Sequence, residues 1–260
     1  MLLKDQIAVV TGAGRGIGRA IAERFAAEGA SVVLTARTAA EVEAAAAAIR
    51  SHGGRPAGVV ADVGKEQDCA RIVETARCEF GSVHILVNNA GIFGPVKPVE
   101  EITAAEWDEV QAINVRGAFL LTRLVLPEMY ARSSGAIVYV SSVAAKAAFP
   151  WNAPYAASKA ALLALTRSLA AEAARKGVRV NALCPGIVAE TQMSQELGRA
   201  LAERIGISPE KELALALGNV LQARATTAAE VAAAAVFLAS DQASGITGQA
   251  LNVDGGMVFS

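Results

Sequence analysis

The feature that most constrains the fold of this chain is a regular alternation of short apolar runs with long, Ala-rich amphipathic stretches. The short runs are apolar almost throughout instead of alternating with polar residues. That pattern is typical of strands that helices cover on both faces. Strands are therefore predicted at residues 7–11, 31–35, 58–61, 85–88, 136–140, 178–183 and 250–253.

Helical periodicity fills the segments between these strands, at residues 16–28, 39–50, 66–80, 104–131, 155–176 and 228–240. Local signals support two of the boundaries. Thr227 and Glu230 have the spacing of a capping box at the start of the last helix. Gly177 follows two basic residues, as expected of a glycine just beyond a helix end. Repeated strand–helix units predict an α/β fold with a doubly wound parallel sheet and right-handed crossovers.

No stretch rich in Pro, Ser or Gly divides the 260 residues, so a single domain over residues 1–260 is expected. Residues 190–222 interrupt the strand–helix rhythm and are predicted to form two short helices around Gly206 to Pro209. An insertion of this length after a strand of such a sheet is where ligand lids are built. The alternative is an embellishment that only packs on the domain. Its apolar residues (Leu197, Leu201, Ile205, Ile207, Leu213, Leu215, Leu217, Val220 and Leu221) are expected to lie mostly in the core.

Composition excludes several classes of function. Hydrophobic residues make up 53% of the chain against 19% charged, and the net charge is −1. Without a basic cluster, neither nucleic acid nor an anionic membrane is an expected partner, and near-neutral charge fits self-association. Three cysteines without metal-ligand spacing indicate a reducing compartment, and two histidines are too few for a zinc site or a Ser/His/Asp triad. The N-terminus lacks the apolar stretch of a signal peptide, so a soluble, cytoplasmic protein without a metal is expected.

The first predicted strand ends in a glycine-rich turn, Thr11-Gly-Ala-Gly-Arg-Gly-Ile-Gly18, and a helix follows at once. Its spacing differs from G-x-G-x-x-G because Ile17 stands where the third glycine belongs. The physical logic is still that of a phosphate site, because glycines let the backbone approach a pyrophosphate and the helix start offers free N–H groups. The alternative is a plain tight turn.

The second predicted strand has no carboxylate at its end to bind the ribose 2′-hydroxyl of NAD. Arg37 lies there instead, and Arg15 lies in the glycine turn. Two guanidinium groups at one place are stabilised by an anion between them, such as a 2′-phosphate. The sequence therefore favours NADP as the cofactor, with NAD as the alternative. The other possibility is that both arginines are only solvated and bind no phosphate.

A second chemical signal is Tyr155-Ala-Ala-Ser-Lys159. Residues four apart share a helix face, and a nearby positive charge favours the phenolate form of a tyrosine. The pair alone is common in helices and also describes an exposed tyrosine beside a solvated lysine. Its context is more informative, because Ser142 follows the fifth strand and residues 88–91 follow the fourth. Asn114 lies in an apolar helix and is either a structural amide or part of a proton relay.

These motifs, in this order and spacing, identify a resemblance to the short-chain dehydrogenase/reductase family over essentially the whole chain. The matching residues are Thr11 to Gly18, Asp62-Val63, Asn88-Asn-Ala-Gly91, Asn114, Ser142, Tyr155 with Lys159, Pro185-Gly186 and Asn252 to Gly256. The resemblance implies a Rossmann-type seven-stranded sheet of order 3-2-1-4-5-6-7 with helices on both faces. It also implies self-association, as a homotetramer or a homodimer.

The resemblance implies that Tyr155 is the general acid/base, with Lys159 lowering its pKa and binding the nicotinamide ribose. Ser142, not Ser141, would hydrogen-bond the substrate oxygen, and Asn114 would hold a relay water. The expected cofactor-binding residues are Gly12, Gly14, Arg15, Gly16, Ile17, Gly18, Arg37, Asp62, Val63, Asn88, Ala90, Gly91, Tyr155, Lys159, Pro185, Gly186, Val188 and Thr191.

Two positions depart from the family pattern. Glu190 stands where the family commonly has a threonine that contacts the carboxamide, and Thr191 comes one residue later. Ala228 replaces the usual proline before the last helix.

The expected function is that of an NAD(P)-dependent oxidoreductase that interconverts a carbonyl and an alcohol by hydride transfer. A 3-oxoacyl thioester, a cyclic ketone and a sugar-derived ketone all fit as substrates. One alternative is a nucleotide-binding regulatory or scaffold protein without turnover, and another is a sugar-nucleotide epimerase or dehydratase, which typically has a longer chain.

Overall fold

A computed structural model describes residues 1–259, and within them seven parallel strands form one sheet of order β3-β2-β1-β4-β5-β6-β7. This confirms the fold and the strand order expected from the sequence. The strands are β1 (Ile7–Thr11), β2 (Ser31–Ala36), β3 (Arg55–Val60), β4 (Ile85–Asn88), β5 (Gly135–Val140), β6 (Val178–Pro185) and β7 (Ala250–Val253).

Helices cover both faces of the sheet because neighbouring residues of each strand point to opposite sides. Ala8 and Val10 of β1 pack with one layer, whereas Val9 packs with the other. The first layer is formed by α1 (Gly16–Ala27), α2 (Ala39–Ser51) and α9 (Ala228–Ala239). The second is formed by α3 (Glu66–Glu79), α5 (Gly117–Ala131) and α6 (Ala153–Ala173).

The remaining helices are α4 (Ala104–Gln111), α7 (Gln192–Ile205) and α8 (Pro209–Leu217). The last two are the pair of short helices predicted for residues 190–222, and they join at Gly206 in the left-handed conformation. The predicted helix 104–131 is interrupted by a π-helical turn at Ala112–Arg116. Apolar periodicity does not reveal such a turn, because it adds one residue without ending the helix.

The third strand begins at Arg55 and not at residue 58 as predicted. Pro56 obscured its start, because proline is rare in strand interiors. β3 pairs only with β2 and forms an edge of the sheet, where a proline without an N–H is tolerated.

The strand order places the chemistry of this fold beside β1. Because β1 pairs with β2 on one side and with β4 on the other, the connection after β1 turns away from the connection after β4. Ligands of open parallel sheets bind in the crevice at this point, outside the carboxyl ends of the strands. No helix in residues 1–259 has both the length and the apolarity that crossing a membrane requires.

Two glycines provide a matched test of how the helix ends are built. Gly177, predicted from the sequence to follow a helix end, has φ +74°, and a Cβ there would lie 2.0 Å from the carbonyl oxygen of Ser133. Gly206 has φ +71°, and nothing among the described residues lies within 4 Å of a Cβ there.

We therefore expect Gly206→Ala to cost about 1–2 kcal/mol of unfolding free energy, from backbone conformation alone. Gly177→Ala should cost a further 1–3 kcal/mol or so, because it also forces the Ser133 backbone to move. Urea denaturation of both variants measures the difference. Equal losses would show that the contact with Ser133 is not rigid.

Candidate active site

A cleft of about 870 Å³ runs along the carboxyl ends of the strands. It contains eighteen of the twenty residues predicted from the sequence to bind the cofactor or catalyse the reaction. These are Gly12, Gly14, Arg15, Gly16, Ile17, Gly18, Arg37, Asp62, Val63, Ala90, Gly91, Ser142, Tyr155, Lys159, Pro185, Gly186, Val188 and Thr191. The side chains of Asn88 and Asn114 lie outside its lining and are described below.

The glycine turn is held by hydrogen bonds between the ends of β1 and β4. The Thr11 hydroxyl accepts from the backbone N–H groups of Asn89 (3.0 Å) and Ala90 (2.9 Å). The Asn89 amide donates to the carbonyl oxygens of Thr11 (2.8 Å) and Gly12 (3.1 Å). Asn89 was not among the predicted site residues, although it belongs to the Asn-Asn-Ala-Gly motif that signals it. Its amide fixes the shape of the turn.

The same turn fits a dinucleotide pyrophosphate. A Cβ on Gly18 would lie 2.3 Å from the Gly12 carbonyl oxygen, and one on Gly12 would lie 2.9 Å from the Ala90 Cα. Side chains at these positions would therefore fill the space between the turn and β4. No side chain among the described residues caps the start of α1 at Arg15, which leaves its first N–H groups available to an anion.

The far end of the cleft, beyond β2, contains an ion pair that the sequence analysis missed. Arg15 Nη1 lies 3.0 Å from Glu41 Oε1. A Cβ on Gly14 would lie 3.0 Å from the other carboxylate oxygen of Glu41. The residue that follows β2 is Arg37, whereas Glu41 reaches this corner from the first turn of α2. Arg37 is exposed at the same corner and makes no ion pair with a described residue.

At the inner end of the cleft, Tyr155 projects from the first turn of α6 and is 9% exposed. The ring of Phe93 lies against it, with 4.6 Å between the ring centroids. Burial raises the pKa of Tyr155 above that of a free phenol, and a hydrogen bond with Ser142 opposes this shift. The hydroxyl of Ser141 instead donates to the backbone carbonyl of Lys159 (2.8 Å). The two serines thus have different surroundings, because the Ser142 hydroxyl accepts from the N–H of Ala144 (3.1 Å) and lowers the pKa of Tyr155, whereas Ser141 is bonded to the backbone of α6.

Lys159 lies one turn further along α6 and is 4% exposed. Its Nζ donates to the carbonyl oxygen of Val140 (2.8 Å) and lies 5.5 Å from the centroid of the Tyr155 ring. Burial lowers the pKa of Lys159 to about 8. In the free protein, burial raises the pKa of Tyr155. The lowered pKa predicted for the pair involves an oxidised nicotinamide ring as well as Lys159, and it stays a prediction. Desolvation of the phenolate outweighs a lysine whose ammonium is engaged elsewhere and is itself desolvated.

Asn114 lies in the π-helical turn and is 1% exposed. Its amide nitrogen donates to the carbonyl oxygen of Ile92 and to the Ser158 hydroxyl, both at 2.9 Å. Its amide oxygen accepts from the N–H of Ile92 (2.9 Å). The side chain thus joins the segment after β4 to α6, immediately behind the cleft wall.

Asn88 was predicted to contact the cofactor, but its side chain is not brought to the cleft. It points into the second helical layer, where its amide donates to the Thr122 hydroxyl (3.3 Å), and Thr122 is hydrogen-bonded to Tyr139. The amide oxygen of Asn88 is buried and has no hydrogen-bond partner among the described residues. Because side chains alternate along an extended segment, Asn88 and Asn89 point to different sides.

Thr191 lies above the glycine turn, with its methyl group 3.3 Å from the position of a Cβ on Gly16. Its hydroxyl is engaged at the start of α7, where it donates to the Val188 carbonyl (2.9 Å) and accepts from the Ser194 N–H (3.3 Å). The methyl side of Thr191 thus faces the glycine turn, whereas its hydroxyl caps α7, and the predicted contact with a cofactor stays a prediction.

The outer wall of the cleft is formed by α7 and α8. The expectation that the apolar residues of this segment lie mostly in the core is wrong, because only Val220 of the nine is buried. The two helices cover the cleft instead of packing on the sheet. The apolar residues that line the cleft here are Met193, Leu197, Leu201, Ile205 and Leu213, together with Met257 near the C-terminus.

Trp151 closes the cleft between α6 and α7. It has φ +63°, which is uncommon for a residue with a side chain, and the guanidinium of Arg204 lies 5.1 Å from its ring centroid. This contact links the loop before Tyr155 to the end of α7. No cluster of His, Cys, Asp or Glu side chains suited to a metal ion occurs in the part of the chain that the structure describes.

Comparison with known proteins agrees with this geometry. The family model "short chain dehydrogenase" matches residues 6–202. The chain is 41% identical over 255 residues to 2-(S)-hydroxypropyl-CoM dehydrogenase 3 of Xanthobacter autotrophicus, covering 98% of this chain and 97% of that protein. The crystal structure of levodione reductase superposes with a TM-score of 0.93 at 36% identity, covering 98% of each chain. That of NAD+-bound xylitol dehydrogenase gives 0.94 at 31% identity, covering 98% of this chain and 100% of that one.

Proposed function

Because the chain belongs to the short-chain dehydrogenase/reductase family and is an oxidoreductase of that family, we propose that it interconverts a ketone and a secondary alcohol, with Tyr155 as the general acid/base. The observation that carries this proposal is the position of the Tyr155 phenol. It lies at the inner end of the cleft beside Ser142, with Lys159 on the same face of α6.

The nicotinamide dinucleotide, when bound, supplies or accepts a hydride at the substrate carbon. Ser142 orients the substrate oxygen and stabilises the charge that develops on it. In the reductive direction Tyr155 donates its proton to that oxygen. In the oxidative direction the phenolate of Tyr155 removes the proton from the alcohol.

Lys159 has two proposed tasks. It binds the hydroxyl groups of the nicotinamide ribose, and with the positive charge of the oxidised ring it lowers the pKa of Tyr155 from the raised value of the free protein. A lysine whose pKa is about 8 is already charged at neutral pH, so this effect needs no further protonation. Asn114 is proposed to complete the set by holding a relay water, next to the Ile92 and Ser158 groups that it already contacts.

NADP is the proposed cofactor, with NAD as the alternative. Arg37 is exposed at the corner where a 2′-phosphate would lie, and its guanidinium makes no ion pair with a described residue. Arg15 lies at the same corner, paired with Glu41. Both arginines would bind the phosphate. Glu41 would weaken that binding, because its carboxylate competes with the phosphate for the guanidinium of Arg15.

The apolar outer wall supports a substrate with a keto group on a largely apolar skeleton, such as a 3-oxoacyl chain or a cyclic ketone. Residues 190–222 act as a substrate lid on the single domain. From the family resemblance we also propose a cytoplasmic homotetramer or homodimer. A nucleotide-binding regulatory protein without turnover is the alternative, and an assay over a broad carbonyl panel distinguishes the two.

Tyr155→Phe tests the proton-transfer role. The variant keeps the ring that packs on Phe93 but removes the exchangeable proton, so turnover should fall by at least about 10²-fold. NADPH affinity, measured by fluorescence titration, should change by less than about twofold, because the glycine turn is untouched. Ser141→Ala is the matched control and should retain most of its turnover. A Tyr155→Phe variant with wild-type turnover would remove Tyr155 from the mechanism.

The cofactor preference is tested by changing the ion pair at the far end of the cleft. Arg37→Asp combined with Arg15→Ala should shift the NADPH/NADH ratio of kcat/KM toward NADH by at least tenfold or so. Glu41→Gln should shift it the other way, since Arg15 is then free to bind the phosphate. Glu43→Gln removes an ion pair on the same helix, with Arg50, and should change nothing. If none of the variants moves the ratio, these groups do not read the 2′-phosphate.

A further inference from the structure

At the base of the lid segment (residues 190–222), the chain that enters the segment is hydrogen-bonded to the chain that follows it. Glu190 Oε1 accepts a hydrogen bond from the backbone N–H of Ala228 (2.7 Å). Close by, the N–H of Thr226 donates to the carbonyl oxygen of Ile187 (2.8 Å). The connection that leaves β6 is thus joined to the connection that enters α9, across 38 residues of sequence.

The Glu190 contact uses an N–H that the helix itself leaves unpaired. Ala228 is the first residue of α9, and the capping box of Thr227 and Glu230 satisfies the N–H groups of those two residues but not that of Ala228. A carboxylate at a helix N-terminus makes a charge-assisted hydrogen bond and interacts favourably with the helix dipole. A proline at position 228 would have no N–H to donate.

The residue after Glu190 is the one that lies over the glycine turn. Thr191 begins α7, and its methyl group is 3.3 Å from the position of a Cβ on Gly16. Its hydroxyl is committed to the Val188 carbonyl and the Ser194 N–H, so the placement of Thr191 depends on the path of the backbone around it. The hydrogen bond between the Glu190 carboxylate and the Ala228 N–H holds the residue immediately before Thr191.

We infer that Glu190 is a positioning residue for the cofactor: by accepting the Ala228 N–H, it keeps Thr191 against the glycine turn where the dinucleotide pyrophosphate lies. The inference rests on the proposed function, since it assumes that the turn binds a dinucleotide. It adds a residue that contacts neither cofactor nor substrate and acts through its neighbour.

The test is a set of equilibrium binding measurements that need no turnover. Glu190→Ala removes the acceptor, whereas Ala228→Pro removes the donor and preserves α9, because proline is favoured at the first position of a helix.

NADPH, NADH and adenosine 2′-monophosphate are titrated into each variant, into the double variant and into Glu190→Gln. The monophosphate contains the adenosine end of NADP but no pyrophosphate. Thr103→Ala removes the side-chain cap at the start of another helix, α4, and serves as the control for stability loss.

If Glu190 positions Thr191, each single variant raises the Kd of the tighter-binding dinucleotide by about three- to tenfold. The Kd of the monophosphate changes by less than about twofold. The double variant is then no weaker than either single one, because both remove the same contact. Glu190→Gln, whose amide oxygen can still accept, recovers most of the affinity. Thr103→Ala lowers the Tm without changing either Kd.

The inference is overturned if Glu190→Ala or Ala228→Pro lowers the Tm without changing any Kd, or if the Kd values of dinucleotide and monophosphate rise equally. It is also overturned if the losses of binding free energy in the two single variants add in the double variant. Failure of the proposed function gives a different result. A wild-type protein that binds dinucleotide but does not turn over any carbonyl leaves the Glu190 test intact. A wild-type protein that binds neither dinucleotide contradicts both.

Discussion

The rest of the site depends on the burial of a phenol and an ammonium on one face of α6, at the end of β5. Tyr155 is 9% exposed and Lys159 is 4% exposed, and both lose most of the hydration that their charged forms need. Burial therefore shifts the two pKa values in opposite directions, upward for Tyr155 and downward for Lys159. Both shifts favour the neutral forms, so the free protein holds its acid protonated until another charge enters the cleft.

Under the proposed function, this arrangement would give the bound cofactor an electrostatic role in addition to its chemistry. The ammonium of Lys159 donates to the Val140 carbonyl, and burial raises the pKa of Tyr155 although Lys159 lies nearby. An oxidised nicotinamide ring bound beside the pair would add the positive charge that favours a phenolate. In the proposed mechanism, the phenolate of Tyr155 would therefore form only when the oxidised cofactor is bound.

The architecture that allows this follows from the parallel pairing of β1 with β4. The Thr11 hydroxyl and the Asn89 amide join the ends of these two strands and shape the glycine turn. Gly91, on the next stretch, keeps the wall thin enough for Asn114 to reach Ile92 behind it and for Lys159 to lie beside it. The glycine turn and the part of the cleft wall that faces Lys159 are thus built on adjacent strands.

Much of this was predictable from the sequence, because the signals involved are local or have a fixed spacing. The continuous apolar strands predicted the fold, and the family resemblance predicted the strand order. The glycine turn and the Tyr155–Lys159 spacing predicted most of the cleft. What the sequence did not predict depends on direction and on distant contacts. The side chain of Asn88 points away from the cleft while that of Asn89 points toward the turn, and Glu41 reaches Arg15 from a different element.

The same limit explains the two departures from the family pattern at positions 190 and 228. In the sequence they are unrelated, 38 residues apart, and only the fold shows that the carboxylate of one accepts the N–H of the other. Residues 190–222 were also expected to contribute mostly to the core. Apolar periodicity indicates which helix face is buried but not whether it covers the sheet or a cleft, and here α7 and α8 cover the cleft.

The most direct test of the account is the pKa of Tyr155 with and without oxidised cofactor. The chain has only three tyrosines, so 13C-labelled tyrosine gives three Cζ resonances, and Tyr155→Phe assigns the one of interest. In the free protein that resonance should remain that of a neutral phenol beyond pH 10 or so, the ordinary value for tyrosine. Saturation with NADP+ should move its titration at least about one unit below that value. A midpoint that NADP+ leaves unchanged, or raises further, would contradict the account.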